Sequence, residues 1–206
     1  MLKLLKLYKN ETDLIEDCLK GKRHAQEALY KKYSSKMLAL CVRYLSDRTE
    51  AEDAMTNGFV RVFTQLENFR KEGSFEGWIR RIMVNEALAI LRKKSKMYLE
   101  PAECADYHND YQIEEKHLEA EELLAMVQKL PTGYRTVFNL YAIEGYSHKE
   151  IAETLGISES TSKSQLNRAR NMLKNELAKM DRYWKTDTDK ATNSSQELKL
   201  VTQILI

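Results

Sequence analysis

Proline and glycine are scarce in this chain, with 2 and 7 copies in 206 residues. So few breakers exclude a fold of many tight turns and leave long helices with few sharp connections. Cysteine is nearly missing as well. Cys18, Cys41 and Cys104 are odd in number and far apart. They supply neither a disulfide framework nor a paired-cysteine metal knuckle, which fits a reducing compartment. Long apolar runs are absent. The opening MLKLLKLYKNETD interrupts leucine with lysine and never holds more than two apolar residues in a row. It is too broken for a signal peptide or a span, and no other window approaches spanning length. A cytoplasmic protein without direct membrane insertion is expected. Catalytic signatures are missing too: there is no Gly-rich phosphate loop, HExxH or nucleophile elbow. Glu52 and Asp53 are adjacent, so on a helix they point about 100° apart, wrong for sharing a catalytic proton. Cys104, His108 and His117 lie in an acidic stretch without further ligands. The expectation is a protein that is not an enzyme and carries no metal or cofactor.

What is present is apolar material for cores and a patterned charge. Hydrophobic residues make up 43% and charged residues 31%, the balance of a folding chain and not of a disordered polyampholyte. The net charge of +2 conceals an asymmetry. Residues 24–96 carry 14 Lys/Arg against 9 Asp/Glu, residues 97–122 carry 1 against 9, and residues 123–182 carry 9 against 6. Two basic blocks around an acidic connector point to a polyanionic partner.

Periodicity predicts helices at 12–20 and 24–45, the second burying Leu29, Tyr33, Met37, Leu40 and Tyr44, with Cys41 in the core. Thr49 and Glu52 have the spacing of a capping box opening a third helix, continued by Ala54, Phe59, Val62, Phe63 and Leu66. A glycine-bearing loop, FRKEGSFEGW, leads to a helix at about 78–96 with Trp78, Ile82, Leu88 and Leu91 inward. The stretch 97–118 is acidic, holds Pro101 and loses the apolar period, as a linker does. Period resumes near Glu119. Pro131 opens a helix with Val137, Phe138 and Tyr141 inward and Gly145 past its end. The expected architecture is all-α: two small helical domains joined by a flexible linker. Its parts are an N-terminal extension (1–23), a helix bundle (24–96), the linker (97–118), a second helical domain (119–182) and a tail (183–206).

HKEIAETLGISESTSKSQLNRAR has the internal logic of a helix-turn-helix. Ser147 and Glu150 form a capping box, Ala152 is small at the crossing, and Gly156 permits the sharp turn. Ser158 caps the second helix, held by Ile151, Leu155, Ile157 and Leu166. That helix then offers Ser160, Thr161, Lys163, Ser164, Gln165 and Arg168 to solvent. Hydroxyls and amides at a helix N-terminus bind phosphate, while Lys, Gln and Arg read base edges. An ordinary polar helix face is the alternative, but it does not require the cap, the small residue, the glycine and the apolar anchors together.

From LPTGYRTVFNLYAIEGYSHKEIAETLGISESTSKSQLNRARNMLK, the chain resembles region 4 of the extracytoplasmic-function (ECF) sigma factors of bacterial RNA polymerase. AEDAMTNGF and NFRKEGSFEGWIRRIMVNEALAILRKK resemble region 2 of the same family. Together they cover about residues 24–178. The resemblance implies that the bundle binds core polymerase and the -10 element, and that the helix-turn-helix binds the -35 element. It implies docking of Glu52, Asp53, Thr56 and Asn57 on the clamp helices of the largest polymerase subunit. Thr56 and Asn57 replace a Gln-Glu usual in the family, which removes a carboxylate. It further implies that Phe69, Ser74 and Asn85 capture a flipped base of promoter DNA, for which stacking and amide groups are suited. Arg80, Arg81, Arg92 and Lys93 supply phosphate-facing charge. Phe75 and Trp78 are read as core. Family members are commonly held inactive by an anti-sigma factor, often membrane-tethered, and such a partner is a further expectation. Ser162 stands where related helices carry a β-branched apolar residue, so a weaker anchor for this helix is expected. A stand-alone helix-turn-helix regulator, or a pure protein-interaction module, remains the alternative.

Overall fold

The computed structural model describes residue 8, residues 10–97 and residues 124–186. Every regular element among them is helical. The chain divides into two compact units, Met1–Pro101 and Ala102–Ile206. Outside the described residues lie most of the N-terminal stretch, the linker beyond Met97 with Cys104, His108 and His117, the resumption of period at 119–123, and the tail from 187.

In the first unit α1 (Glu11–Leu19) is capped by Asn10, whose Oδ1 accepts the Asp13 N–H at 2.7 Å. It lies on α2 (Arg23–Tyr44). Glu11 Oε1 accepts from Lys32 Nζ at 2.7 Å and from the Tyr33 hydroxyl, tying α1 down. The predicted face of α2 is the buried one: Leu29, Tyr33, Met37, Leu40, Cys41 and Tyr44 are all inaccessible or nearly so. α3 (Arg48–Thr64) begins earlier than the Thr49–Glu52 spacing suggested. Its cap is Asp47, whose carboxylate accepts the Glu50 N–H at 3.0 Å. A charged acceptor at the positive helix end outcompetes a hydroxyl two residues on.

A 3-10 turn (Leu66–Asn68) and a bend with Lys71 at φ 60° and Gly73 at φ 106° lead into α4 (Phe75–Met97). That helix starts three residues before the predicted Trp78 because Ser74 Oγ accepts the Gly77 N–H at 3.0 Å. Gly77 is therefore helical. The inward face shifts with it: Phe75, Ile79, Met83, Val84, Ala87 and Leu88 are buried, while Trp78, Ile82 and Leu91 are half-buried. Helices α2, α3 and α4 pack on one another.

The second unit has helix at 124–128, then α5 (Thr132–Phe138), which runs into a π-helical turn, Asn139–Ile143. The extra residue of a π-turn rotates the register. Asn139 and Leu140 thus join Val137 and Phe138 in the core, and Tyr141 is left half-buried. α6 (His148–Leu155) opens on the predicted capping box, with both Ser147–Glu150 hydrogen bonds present. It ends at Gly156, whose φ of 67° is the left-handed conformation that favours glycine. α7 (Glu159–Thr186) follows and runs past residue 182. Both α5 and α6 pack on it.

Candidate nucleic-acid interface

Glu52, Asp53, Thr56, Asn57 and Val60 are all exposed on α3, whereas Ala51, Ala54, Met55, Gly58 and Phe59 are buried. Helical steps of one, three and four residues gather the exposed set on one side. Glu52 holds Arg48 at 3.0 Å, an exposed pair worth little in stability. Thr56 Oγ1 turns back to the Glu52 carbonyl at 2.8 Å. Val60 escaped the sequence reading. It is an apolar side chain 57% exposed in line with four polar ones, and its position eight residues after Glu52 was the available signal.

On α4, Arg81, Asn85, Ala89 and Lys93 form an exposed stripe at four-residue intervals. Asn85 sits among apolar neighbours in sequence, yet Met83, Val84, Ala87 and Leu88 turn inward and leave it outside. Arg92 is exposed and its Nε donates to the Leu88 carbonyl at 3.3 Å, and Arg80 is half-buried. Phe69 is half-buried, its ring 5.0 Å from Phe75 and 5.6 Å from Trp78. Phe75 is core, as read; Trp78 is half-buried and stacks on it at 5.8 Å. Ser74 is exposed and committed to capping α4.

The helix-turn-helix has Ile151 and Leu166 in its core, with Ala152, Leu155 and Ile157 half-buried. Ser158 Oγ accepts the Thr161 N–H at 3.0 Å and lies 2.8 Å from both Ser160 Oγ and Thr161 Oγ1. Ser164 Oγ donates to the Thr161 carbonyl at 2.9 Å. The hydroxyls thus satisfy one another at the entry of α7 and lower the cost of their poor helix propensity. Ser158, Ser160, Lys163, Ser164 and Arg168 are exposed. Thr161 and Gln165 are half-buried, and the Gln165 amide packs beside Gly133. Arg168 Nη1 donates to the Tyr134 hydroxyl at 3.2 Å. Tyr134 was not among the expected residues, because a partner 34 positions away leaves no local signal.

Ser162 is fully buried, its Oγ 2.9 Å from His148 Nδ1. The weak anchor expected at this position is thus a partnered hydrogen-bonding group. The His148 ring stacks on Tyr141 with centroids 4.5 Å apart, and the Arg170 guanidinium lies 5.8 Å from the Tyr141 ring. Burial holds the His148 pKa below its ordinary 6.5, with Lys163 and Arg170 adding to the effect and Glu159 opposing it.

Burial raises the thiol pKa of Cys41 to about 12 and that of Cys18 to about 11, which marks both as inert core groups. Among the described residues no group of His, Cys, Asp and Glu converges to hold a metal ion, and no helix is long and apolar enough to cross a membrane.

A helical bundle with an exposed cationic stripe, followed by a unit built on a helix-turn-helix, defines a modular all-α protein. The family model of sigma-70 region 2 matches residues 29–97, and that of sigma-70 region 4 matches residues 120–173. The chain is 32% identical over 160 residues to the ECF RNA polymerase sigma factor SigE of Mycolicibacterium smegmatis, covering 74% of this chain and 62% of that protein. It is 31% identical over 176 residues to the ECF sigma factor SigW of Bacillus subtilis, covering 79% and 94%. Its identity to the RNA polymerase sigma-H factor of Pseudomonas aeruginosa is 30% over 176 residues, covering 79% and 91%. Among solved structures, CnrH in complex with the cytosolic domain of CnrY is similar, at 26% identity and a TM-score of 0.46, covering 81% and 96%. The chain belongs to the ECF sigma factors of the sigma-70 family.

Proposed function

We infer that this sigma factor binds core RNA polymerase and directs promoter recognition and transcription initiation, with three surfaces dividing the task. The polar face of α3, Glu52 to Val60, docks on the clamp helices of the largest subunit. The α4 stripe with Phe69 and Ser74 receives the -10 element. The exposed edge of α7 enters the duplex at the -35 element. Core polymerase and promoter DNA are the partners, an anti-sigma factor covering the docking faces is a further one, and the setting is cytoplasmic. RNA synthesis is catalysed by the polymerase, not by this chain.

The observation that carries this reading is the outward placement of both basic sets on the two family-matched units. Asn85, Arg81 and Lys93 share one exposed stripe, and Lys163, Ser164 and Arg168 are exposed on the second helix of the helix-turn-helix. Phosphate contacts position and base contacts specify, so each surface has a separable lesion. Asp53→Ala is expected to weaken core-polymerase binding in a titration without DNA. Arg168→Ala is expected to leave that titration unchanged while weakening -35-dependent promoter binding by the holoenzyme. Identical effects of the two substitutions would overturn the division. Tight duplex binding by the chain alone, as a dimer, would instead favour a stand-alone regulator.

A further inference from the structure

A serine hydroxyl sealed from water must find a partner or forfeit the full cost of its desolvation. Ser162 is 0% exposed and finds His148 Nδ1 at 2.9 Å. The histidine is itself held on two sides. It is the first residue of α6, directly after the Ser147 cap, so the capping box fixes its backbone. Its ring stacks on Tyr141 of the π-turn, which fixes its plane. The contact thus joins α6, the π-turn and α7 at one point.

An apolar side chain at this place would hold α7 by contact alone, which tolerates sliding and small rotations. A hydrogen bond between two oriented groups constrains both distance and direction. The next residue, Lys163, faces solvent, and Ser164 and Arg168 follow on the exposed side. A small rotation of α7 about its axis moves the tips of the long Lys163 and Arg168 side chains by far more than its backbone.

We propose that His148 and Ser162 are a positioning pair, whose hydrogen bond sets the rotation of α7 on α6 and so aims Lys163, Ser164 and Arg168 at the duplex. This rests on the reading of α7 as the -35 helix.

The same geometry makes the aim sensitive to acid. The charged and titratable groups around the ring are Glu159, Lys163 and Arg170 from α7 and Tyr141 from the π-turn. A proton on His148 would place a cation in a partly buried site, near two other cations and at the positive end of α6. Its folded pKa lies below the ordinary 6.5, so on acidification the unfolded or unseated chain takes up the proton first. The neutral pair contributes fully above that ordinary value, and its contribution falls as pH drops below it.

The test uses holoenzyme reconstituted from core polymerase and the full chain. The readout is the ratio of its affinities for a promoter with an intact and with a scrambled -35 element. His148→Phe keeps a stacking ring without the nitrogen, and Ser162→Ala removes the hydroxyl. Each is expected to lower the ratio about five- to tenfold, the effect of one buried hydrogen bond. The double variant is expected to lose no more than the worse single one. His148→Asn, which retains a hydrogen-bonding group near the Nδ1 position, is expected to recover most of the ratio. The wild-type ratio should decline from pH 7.5 to 5.5, and that of His148→Phe should stay flat. Multiplying single effects, or a pH decline that persists in His148→Phe, would overturn the proposal. A wild-type ratio of one would remove the -35 assignment itself. Amide hydrogen exchange over residues 159–166 would then decide the seating: shared, non-multiplying loss of protection in the two single variants sustains it, and unchanged protection overturns it.

Discussion

Gly58 faces Met83 across the α3–α4 contact so closely that a Cβ there would collide with the thioether sulfur. Met83 is itself fully buried and has no solvent side into which to retreat. Gly58→Ala is therefore expected to lower stability by about 1–3 kcal/mol, the ordinary cost of overpacking, although alanine is the better helix former. Chemical denaturation monitored by circular dichroism checks it, and an unchanged or raised midpoint would contradict the packing. The sequence offered no such warning, since a glycine in a helical pattern looks like a simple weakness. Residues whose fate depends on local period were legible: Leu29, Tyr33, Met37, Leu40 and Cys41 are buried as their spacing predicts. Ser162 was legible only in its strangeness. Which of five hydroxyls turns inward is decided by His148, fourteen positions away, and no propensity encodes that.

At the scale of elements, beginnings proved harder to read than faces. Two N-caps compete at the start of α3, and spacing alone selected Thr49 with Glu52. The carboxylate of Asp47 captures the Glu50 N–H instead. The two assignments separate cleanly by mutation. Asp47→Ala is expected to destabilise the first unit by about 0.5–2 kcal/mol, the loss of a cap. Thr49→Ala should stay within about 0.5 kcal/mol, as for an ordinary surface position. Thermal unfolding of the two variants side by side decides between them, and the reverse order would restore the sequence reading. The start of α4 was placed three residues late for the same reason, because the cap at Ser74 was not recognised from spacing. The helix-turn-helix was read more faithfully because its signals agree: Ser147 with Glu150, then Gly156 with positive φ, then Ser158. Consistent local signals locate an element, and a π-turn such as Asn139–Ile143 leaves none.

Over the whole molecule, the charge pattern pointed to a polyanionic partner before any fold was considered, and each basic block has an exposed basic edge. Arg81 belongs to the first unit and Arg168 to the second, and the two face solvent on separate helices. If both units grip one promoter through one polymerase, each contributes its own phosphate contacts, and the linked whole binds more tightly than either part. Salt dependence counts such contacts, because every neutralised phosphate releases counterions. Replacing a phosphate-contacting cation by alanine should reduce the steepness of log affinity against log salt by about one. Arg81→Ala and Arg168→Ala, each in holoenzyme on an intact promoter, are expected to do so separately, and the double variant to lose about two. The slope, measured by filter binding or fluorescence anisotropy across a salt series, distinguishes this from a loss of folding, which would lower affinity at every salt concentration alike. A slope unchanged by Arg168→Ala, with affinity for the scrambled element equally reduced, would place that guanidinium in the service of Tyr134 and the domain beneath it. A slope changed by only one of the two would assign the promoter grip to a single unit, and the basic edge of the other would then answer to the polymerase.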